Sequence, residues 1–277
     1  MDKAKVADLE KEGLKIDKER VLTYSKLDCP FNCKYCFMND INSEQRKNVA
    51  YLSEKQFDLL KQLPEEISLI MLGCDTEFFH STEVIDVIKK VSELNKDVSV
   101  ITRCHLSQKY IKEIKQINDR ITQNGNVFTF SISIPCLDSV KEWEPVSPDP
   151  YKRINTLKDL HEAGIKTLVA IRPLLPTISD QELRKIVELT KDYCEGYYSG
   201  PLYLKNLDTM SWDKETIQKL DIEELQPHWM PEGNIFYKVE RPGQIDILND
   251  ILKEHNKLLF EGAAEAVQYL KIKKAIR

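Results

Sequence analysis

Three cysteines, Cys29, Cys33 and Cys36, stand close together in the segment Leu27-Asp-Cys-Pro-Phe-Asn-Cys-Lys-Tyr-Cys-Phe37, with the spacing C-x3-C-x2-C. Thiolates this near one another can converge on one face of a cubane iron–sulfur cluster. A four-iron cluster takes four ligands, and no further cysteine lies near this segment. One iron would therefore be left open to a ligand that is not protein. Two other readings use the same residues. A structural zinc site usually completes its tetrahedron with a second Cys/His pair, yet none follows here, and the nearest histidine is His80. Three plain core thiols would gain nothing from the clustering, and Pro30 and Asn32 mark a loop.

The elements that must position this segment show in the apolar pattern. Val21–Leu27 reads as a first strand, followed by strands over Ile67–Leu72, Val98–Thr102, Val127–Ile134, Lys166–Ile171 and Tyr197–Leu204. Helices alternate with them. Ser53 starts one through Leu63, with Gln56 in the capping-box place. Ser81–Leu94 carries apolar residues at helical spacing. Further helices are Ser107 to about Ile121, Pro150–Ala163 closed by Gly164, and one capped by Ser179 or Asp180 that runs to about Tyr193. Six β/α repeats predict a parallel sheet with right-handed crossovers, and so an α/β fold. The cysteines fall in the loop after its first strand. Beyond Lys205 the alternation weakens into a small, mainly helical C-terminal region with helices near Lys214–Leu220, Ile245–Phe260 and Ala263–Ile272.

The cysteine segment, with an aromatic residue before its third cysteine, resembles the signature of the radical S-adenosylmethionine (SAM) superfamily. The resemblance implies a partial (β/α)6, TIM-like barrel. It implies a [4Fe–4S] cluster held by Cys29, Cys33 and Cys36, with SAM on the open iron. Reductive cleavage of SAM to a 5′-deoxyadenosyl radical, and hydrogen abstraction from a substrate, would follow. An electron donor such as flavodoxin or ferredoxin is implied as a partner. Beside Tyr35, the resemblance points to Gly73, Thr76 and Glu77 in Gly73-Cys-Asp-Thr-Glu-Phe78, a variant of the family's glycine-rich motif. There Cys74 replaces the second glycine and Phe78 the usual proline. Thr102 and Arg103 would serve the SAM ribose or carboxylate. Ser131 and Ser133 share one strand face by period two, as ribose ligands or as filler. Arg172 would meet a carboxylate, or else form a surface salt bridge.

A longer run sharpens the kinship. Ser131-Ile-Ser-Ile-Pro-Cys-Leu-Asp138, Glu144-Pro-Val-Ser-Pro148, Arg153, Leu160, Ala163-Gly-Ile165 and Arg172-Pro-Leu-Leu-Pro176 resemble the branch with spore photoproduct lyase and its uncharacterised relatives. Asp75-Thr-Glu-Phe-Phe79 looks like that branch's Thr-Asp-Pro-Tyr stretch. Action on nucleic acid or nucleotide is one alternative this leaves. A non-catalytic iron–sulfur or zinc module is another. Cys136, after the fourth strand, is a candidate hydrogen-atom donor, with small apolar filler as the plainer reading for it and for Cys74 and Cys104.

Composition bounds the rest. The chain has 277 residues, 42% apolar and 31% charged, which suits a well-cored protein with 1–19 as an N-terminal extension, 20–205 as the core barrel and 206–277 covering the barrel or substrate site. A net charge of −5 does not indicate a nucleic-acid partner. The basic end, Lys271 onward, reads as a solvated helix terminus. No run approaches a membrane span, and Met1–Arg20 lacks an apolar leader. The expectation is a cytoplasmic protein with seven reduced cysteines.

Overall fold

A computed structural model describes residues 3–24, 29–40, 51–227 and 233–275. The chain opens with α1 (Lys3–Lys11), β1 (Leu14–Asp17) and β2 (Arg20–Thr23). Five β/α repeats then supply β3 (Leu69–Leu72), β4 (Asp97–Thr102), β5 (Phe128–Ser133), β6 (Lys166–Ile171) and β7 (Gly196–Ser199). Their main helices are α2 (Glu54–Lys61), α3 (Val84–Val91), α4 (Gln108–Gln123), the short α5 (Val140–Trp143), α6 (Pro150–Glu162) and α7 (Asp180–Thr190). After β8 (Leu202–Leu204) come α8 (Lys214–Gln218), β9 (Asp221–Leu225), β10 (Phe236–Glu240), α9 (Gln244–Glu254), β11 (Leu259–Phe260) and α10 (Ala263–Ala275).

Strands β2 to β7 lie in sequence order and all parallel, with β11 parallel beside β7 and β1 antiparallel on the other edge. This open sheet of β/α units is the expected partial barrel. Its strands are buried on both faces, as in parallel sheets wrapped by helices. Ile70, Leu72, Val98, Val100, Phe128, Phe130, Ile132 and Val169 form the layer under the outer helices. The alternate residues Met71, Ile101, Leu168, Ala170 and Tyr198 face the concave side. Each fully buried large apolar side chain contributes about 1.5–3 kcal/mol, so this double layer fixes strand order and register. The Ser53 capping box forms as read, with Gln56 N donating to Ser53 Oγ at 3.2 Å and Ser53 N to Gln56 Oε1 at 2.8 Å.

Four details differ from the sequence reading. The N-terminal extension contributes a strand to the sheet, β1 pairing with β2. The expected first strand ends at Thr23, with 25–27 outside the described residues. The expected sixth strand is two, broken at Gly200-Pro201, and β8 joins a second sheet of order β8-β10-β9. That small antiparallel sheet adds strands to a C-terminal region whose helices α8, α9 and α10 were expected, although α9 ends at Glu254. Asp221-Ile-Glu-Glu-Leu225 is a mostly exposed edge strand whose charges discourage further pairing, and such a strand lacks an apolar signal.

Helix α10 enters the concave face instead of ending in solvent. Ala263 and Ala266 pack with Leu168, Ala170, Tyr198 and Phe260, and Ala264, Val267 and Leu270 with Leu69 and Val127. Alanines allow the close approach. Lys271 Nζ donates to buried Asp97 Oδ2 at 2.8 Å, so this lysine neutralises a core carboxylate at the beginning of β4. The helix therefore reaches the starting ends of the strands, and the opposite ends carry the cysteine loop.

Candidate active site at the cysteine loop

The cysteines follow β2. Asn32 adopts φ 42°, a left-handed turn that asparagine tolerates, and Cys36 N donates to Cys33 O at 3.0 Å, winding the loop tightly. Cys33 is buried, Cys29 and Cys36 are half-buried, and all three thiols are free. Burial pushes the Cys33 and Cys36 thiols up, while the Arg103 cation pulls both back. The loop is held by the segment after α5. Lys34 N donates to Trp143 O at 3.0 Å, and Cys33 Sγ lies 3.6 Å from Ser147 Oγ.

Beneath the loop sits an ionic knot. The Glu144 carboxylate is fully buried, accepts from Tyr35 Oη, and takes Arg103 Nε at 3.1 Å on the same oxygen. Its other oxygen lies 2.6 Å from Arg153 Nη1, whose side chain is also fully buried. Arg153 further donates from Nε to Pro148 O at 2.8 Å and from Nη1 to Ser133 O at 3.1 Å. The Arg103 guanidinium lies over the Tyr35 ring, 5.7 Å from its centroid. Burial holds the Tyr35 phenol well above its ordinary value, so it remains a donor to Glu144. The knot ties the cysteine loop, the end of β4, the segment after α5 and the start of α6 into one unit. Sequence reasoning assigned no role to Glu144 or Arg153. A signal existed: Arg153 shares the helical spacing of buried Leu157 and Leu160, so an arginine had to point into the core.

The other expected site residues divide. Gly73 has φ 80°, and a Cβ there would lie 2.6 Å from Ile101 O, so only glycine fits the turn after β3. Buried Glu77 is drawn to β4, accepting from Thr102 Oγ1 at 2.7 Å, Arg103 N at 2.6 Å and Phe79 N at 3.1 Å. Burial raises its pKa, and those donors partly restore it. Both oxygens are thus occupied within the protein, and Thr102 is bonded to Glu77 instead of facing the concave side. Arg103 likewise spends its Nε on Glu144. Thr76 Oγ1 and Ser133 Oγ are buried without a partner among the described residues. The Ser131 hydroxyl lies against Tyr198, on the same face as Ser133. Arg172 is exposed, lies across Gly200 where a Cβ would be 3.0 Å from its Nε, and forms no salt bridge among the described residues.

The scattered cysteines do not gather. Cys136, the candidate hydrogen donor, is 0% exposed and packs in the core. Burial pushes Cys74 and Cys104 up to about 12, which keeps both protonated. Cys74 Sγ meets Met71 O at 3.4 Å. In sequence Trp212, His228, Trp229 and Tyr237 read either as cover for the barrel mouth or as core, and of these His228 and Trp229 lie outside the described residues. Trp212 packs edge-on to Trp143 at 6.3 Å, bringing the C-terminal region against the segment that holds the cysteine loop.

Among the described residues no trio of His, Cys, Asp or Glu forms a closed metal cage. The donor set nevertheless fits an iron–sulfur cluster: three free thiols on one tight loop. The model of the radical SAM superfamily matches residues 27–190. The chain belongs to the radical SAM superfamily. It is therefore a radical SAM enzyme, of a family that employs SAM and an iron–sulfur cluster. An uncharacterized protein, MJ0683 of Methanocaldococcus jannaschii, is 27% identical over 193 residues, covering 65% of this chain and 69% of that protein. Spore photoproduct lyase complexed with dinucleoside spore photoproduct superposes with a TM-score of 0.59 at 13% identity, covering 84% of this chain and 73% of the lyase. Streptococcus suis SuiB bound to its precursor peptide SuiA gives 0.53 at 18% identity, covering 71% of this chain. This radical SAM chain spans only 42% of the SuiB length. Both likenesses carry the shared fold. No helix among the described residues is long and apolar enough to cross a membrane.

Proposed function

We propose that Cys29, Cys33 and Cys36 hold a [4Fe–4S] cluster whose fourth iron binds SAM, and that the enzyme abstracts a hydrogen atom from its substrate. The observation that carries this reading is the trio of free thiols on the tight loop after β2, inside the stretch that matches the family. When bound, the cluster supplies one electron for reductive cleavage of the SAM sulfonium.

The chain's own residues support the rest of the reading. The left-handed turn at Gly73 lets the chain after β3 pass close under Ile101 O and Phe78, and the Thr76 hydroxyl it presents, without a partner among the described residues, is ready to bond the methionine end of SAM. Ser133, with Ser131 beside it, offers a hydroxyl to the ribose from the concave face. Arg172, exposed and without a salt bridge among the described residues, suits an anionic carboxylate. Glu77 acts by fixing the end of β4, through Thr102 and Arg103, so that the Arg103 guanidinium meets Tyr35. In this reading residues 20–205 are the catalytic core. Residues 206–277 serve it at two places: β9 and β10 extend a small sheet from β8, which follows β7, and α10 plugs the floor. A low-potential one-electron protein of the flavodoxin or ferredoxin type is the reductant.

The test is replacement of each cluster cysteine. Anaerobically reconstituted wild type should contain about four iron and four sulfide per chain on the family's stoichiometry, and Cys29→Ala, Cys33→Ala and Cys36→Ala should each lose most of both. Retention of full iron and sulfide by all three variants would refute the assignment.

A further inference from the structure

The ionic knot under the cysteine loop places charges of both signs beside the thiols. Arg103 is one-quarter exposed, lies over Tyr35, the residue before Cys36, and pairs with Glu144. Tyr35 stands between Cys33 and Cys36 in the loop, so the guanidinium lies over the segment that carries both. Glu144 is fully enclosed between Arg103, Arg153 and the Tyr35 hydroxyl. The Glu77 carboxylate, also buried, is bonded to Thr102, Phe79 and the Arg103 backbone. Buried charges are poorly screened, so a neighbouring redox centre feels each one strongly. Net charge and hydrogen bonding around an iron–sulfur cluster set its reduction potential.

We propose that Arg103 and Glu144 are opposing potential-setting residues of the cluster, and that Arg153 anchors the pair. The inference rests on the cysteine assignment made above. Reduction adds one electron from the low-potential donor and makes the cluster more negative. Arg103 favours that state, and Glu144 opposes it. A merely structural role gives no reason for opposite signs, because loosening the loop by either route exposes the same cluster to the same solvent.

The experiment is an EPR-monitored redox titration of full-length, anaerobically reconstituted protein, with dithionite as reductant. Arg103→Met should shift the midpoint to more negative potential by at least a tenfold change in the reduced-to-oxidised ratio, about 59 mV for one electron. Glu144→Gln, which keeps an acceptor for Tyr35, should shift it to more positive potential. Arg103→Lys keeps the charge and should fall between wild type and Arg103→Met. If Arg103→Met does not retain iron, the Arg103→Lys and Glu144→Gln pair decides by the sign of the second. Shifts of the same sign for Arg103→Met and Glu144→Gln, or no shift in variants with wild-type iron and sulfide, would overturn the inference. A wild type that binds no iron and sulfide would instead overturn the cysteine assignment beneath it.

Discussion

Arg153→Met is the sharpest test of whether the ionic knot holds the site together. Methionine fills a similar volume, so the change removes charge and hydrogen bonds with little cavity. The side chain is fully buried and serves Glu144 at 2.6 Å, Pro148 O at 2.8 Å and Ser133 O at 3.1 Å. Removing one partner of a buried ion pair costs roughly 3–5 kcal/mol, because the other charge is stranded. Here Glu144 keeps Arg103 and Tyr35, which argues for the lower end. The two abandoned carbonyls each add about 1 kcal/mol or more. The expected loss is therefore about 5 kcal/mol, a large share of the roughly 5–15 kcal/mol that holds a domain folded. The assay is urea unfolding of the cluster-free, reduced protein followed by circular dichroism. Glu144→Gln combined with Arg153→Met should be less destabilised than the sum of the single variants, since no stranded charge remains. A loss below about 1 kcal/mol for Arg153→Met, with additive behaviour in the double variant, would refute the reasoning.

Other expectations follow from the same geometry. Gly73→Ala should destabilise the protein by roughly 1–3 kcal/mol from backbone strain alone and should weaken SAM binding measured by equilibrium dialysis, since its Cβ would meet Ile101 O at 2.6 Å. Burial raises the folded-state pKa of Glu77, so its proton binds more tightly in the folded protein. Its contribution to stability is thus full below the unfolded carboxyl value and is lost as pH rises through the folded value; the Glu77→Gln variant should show a flatter fall in unfolding free energy on going from about pH 4 toward neutrality. Cys136→Ala should leave the yield of product per 5′-deoxyadenosine unchanged, because the thiol is buried in the core; a lowered ratio would show that it donates a hydrogen atom to the product radical.

The β/α frame was legible because each parallel strand is buried on both faces and reads as an apolar run, and because caps such as Ser53, Ser107 and Ser179 are all used. Register could be read far enough to put Ser131 and Ser133 on one face. What escaped were contacts between distant segments. Nothing local in the sequence says that Glu77 will turn to Thr102, or that Glu144 will lie under Tyr35, since both depend on how loops from different repeats meet. Lys271 looked like a solvated helix end because its partner, Asp97, is far away in sequence and buried. The strand β9 escaped because an edge strand rich in acid carries a weak apolar signal, and β10, at five residues between β8 and β9, is short. Glycine at 73 was legible as motif, and its necessity became physical only once Ile101 O was seen above it.

The central claim is that three cysteines equip this chain for reductive cleavage of SAM. Anaerobically purified and reconstituted protein should be brown, and with dithionite it should convert SAM to 5′-deoxyadenosine and methionine, whereas Cys33→Ala should not. A colourless protein carrying stoichiometric zinc and forming no 5′-deoxyadenosine would contradict the account.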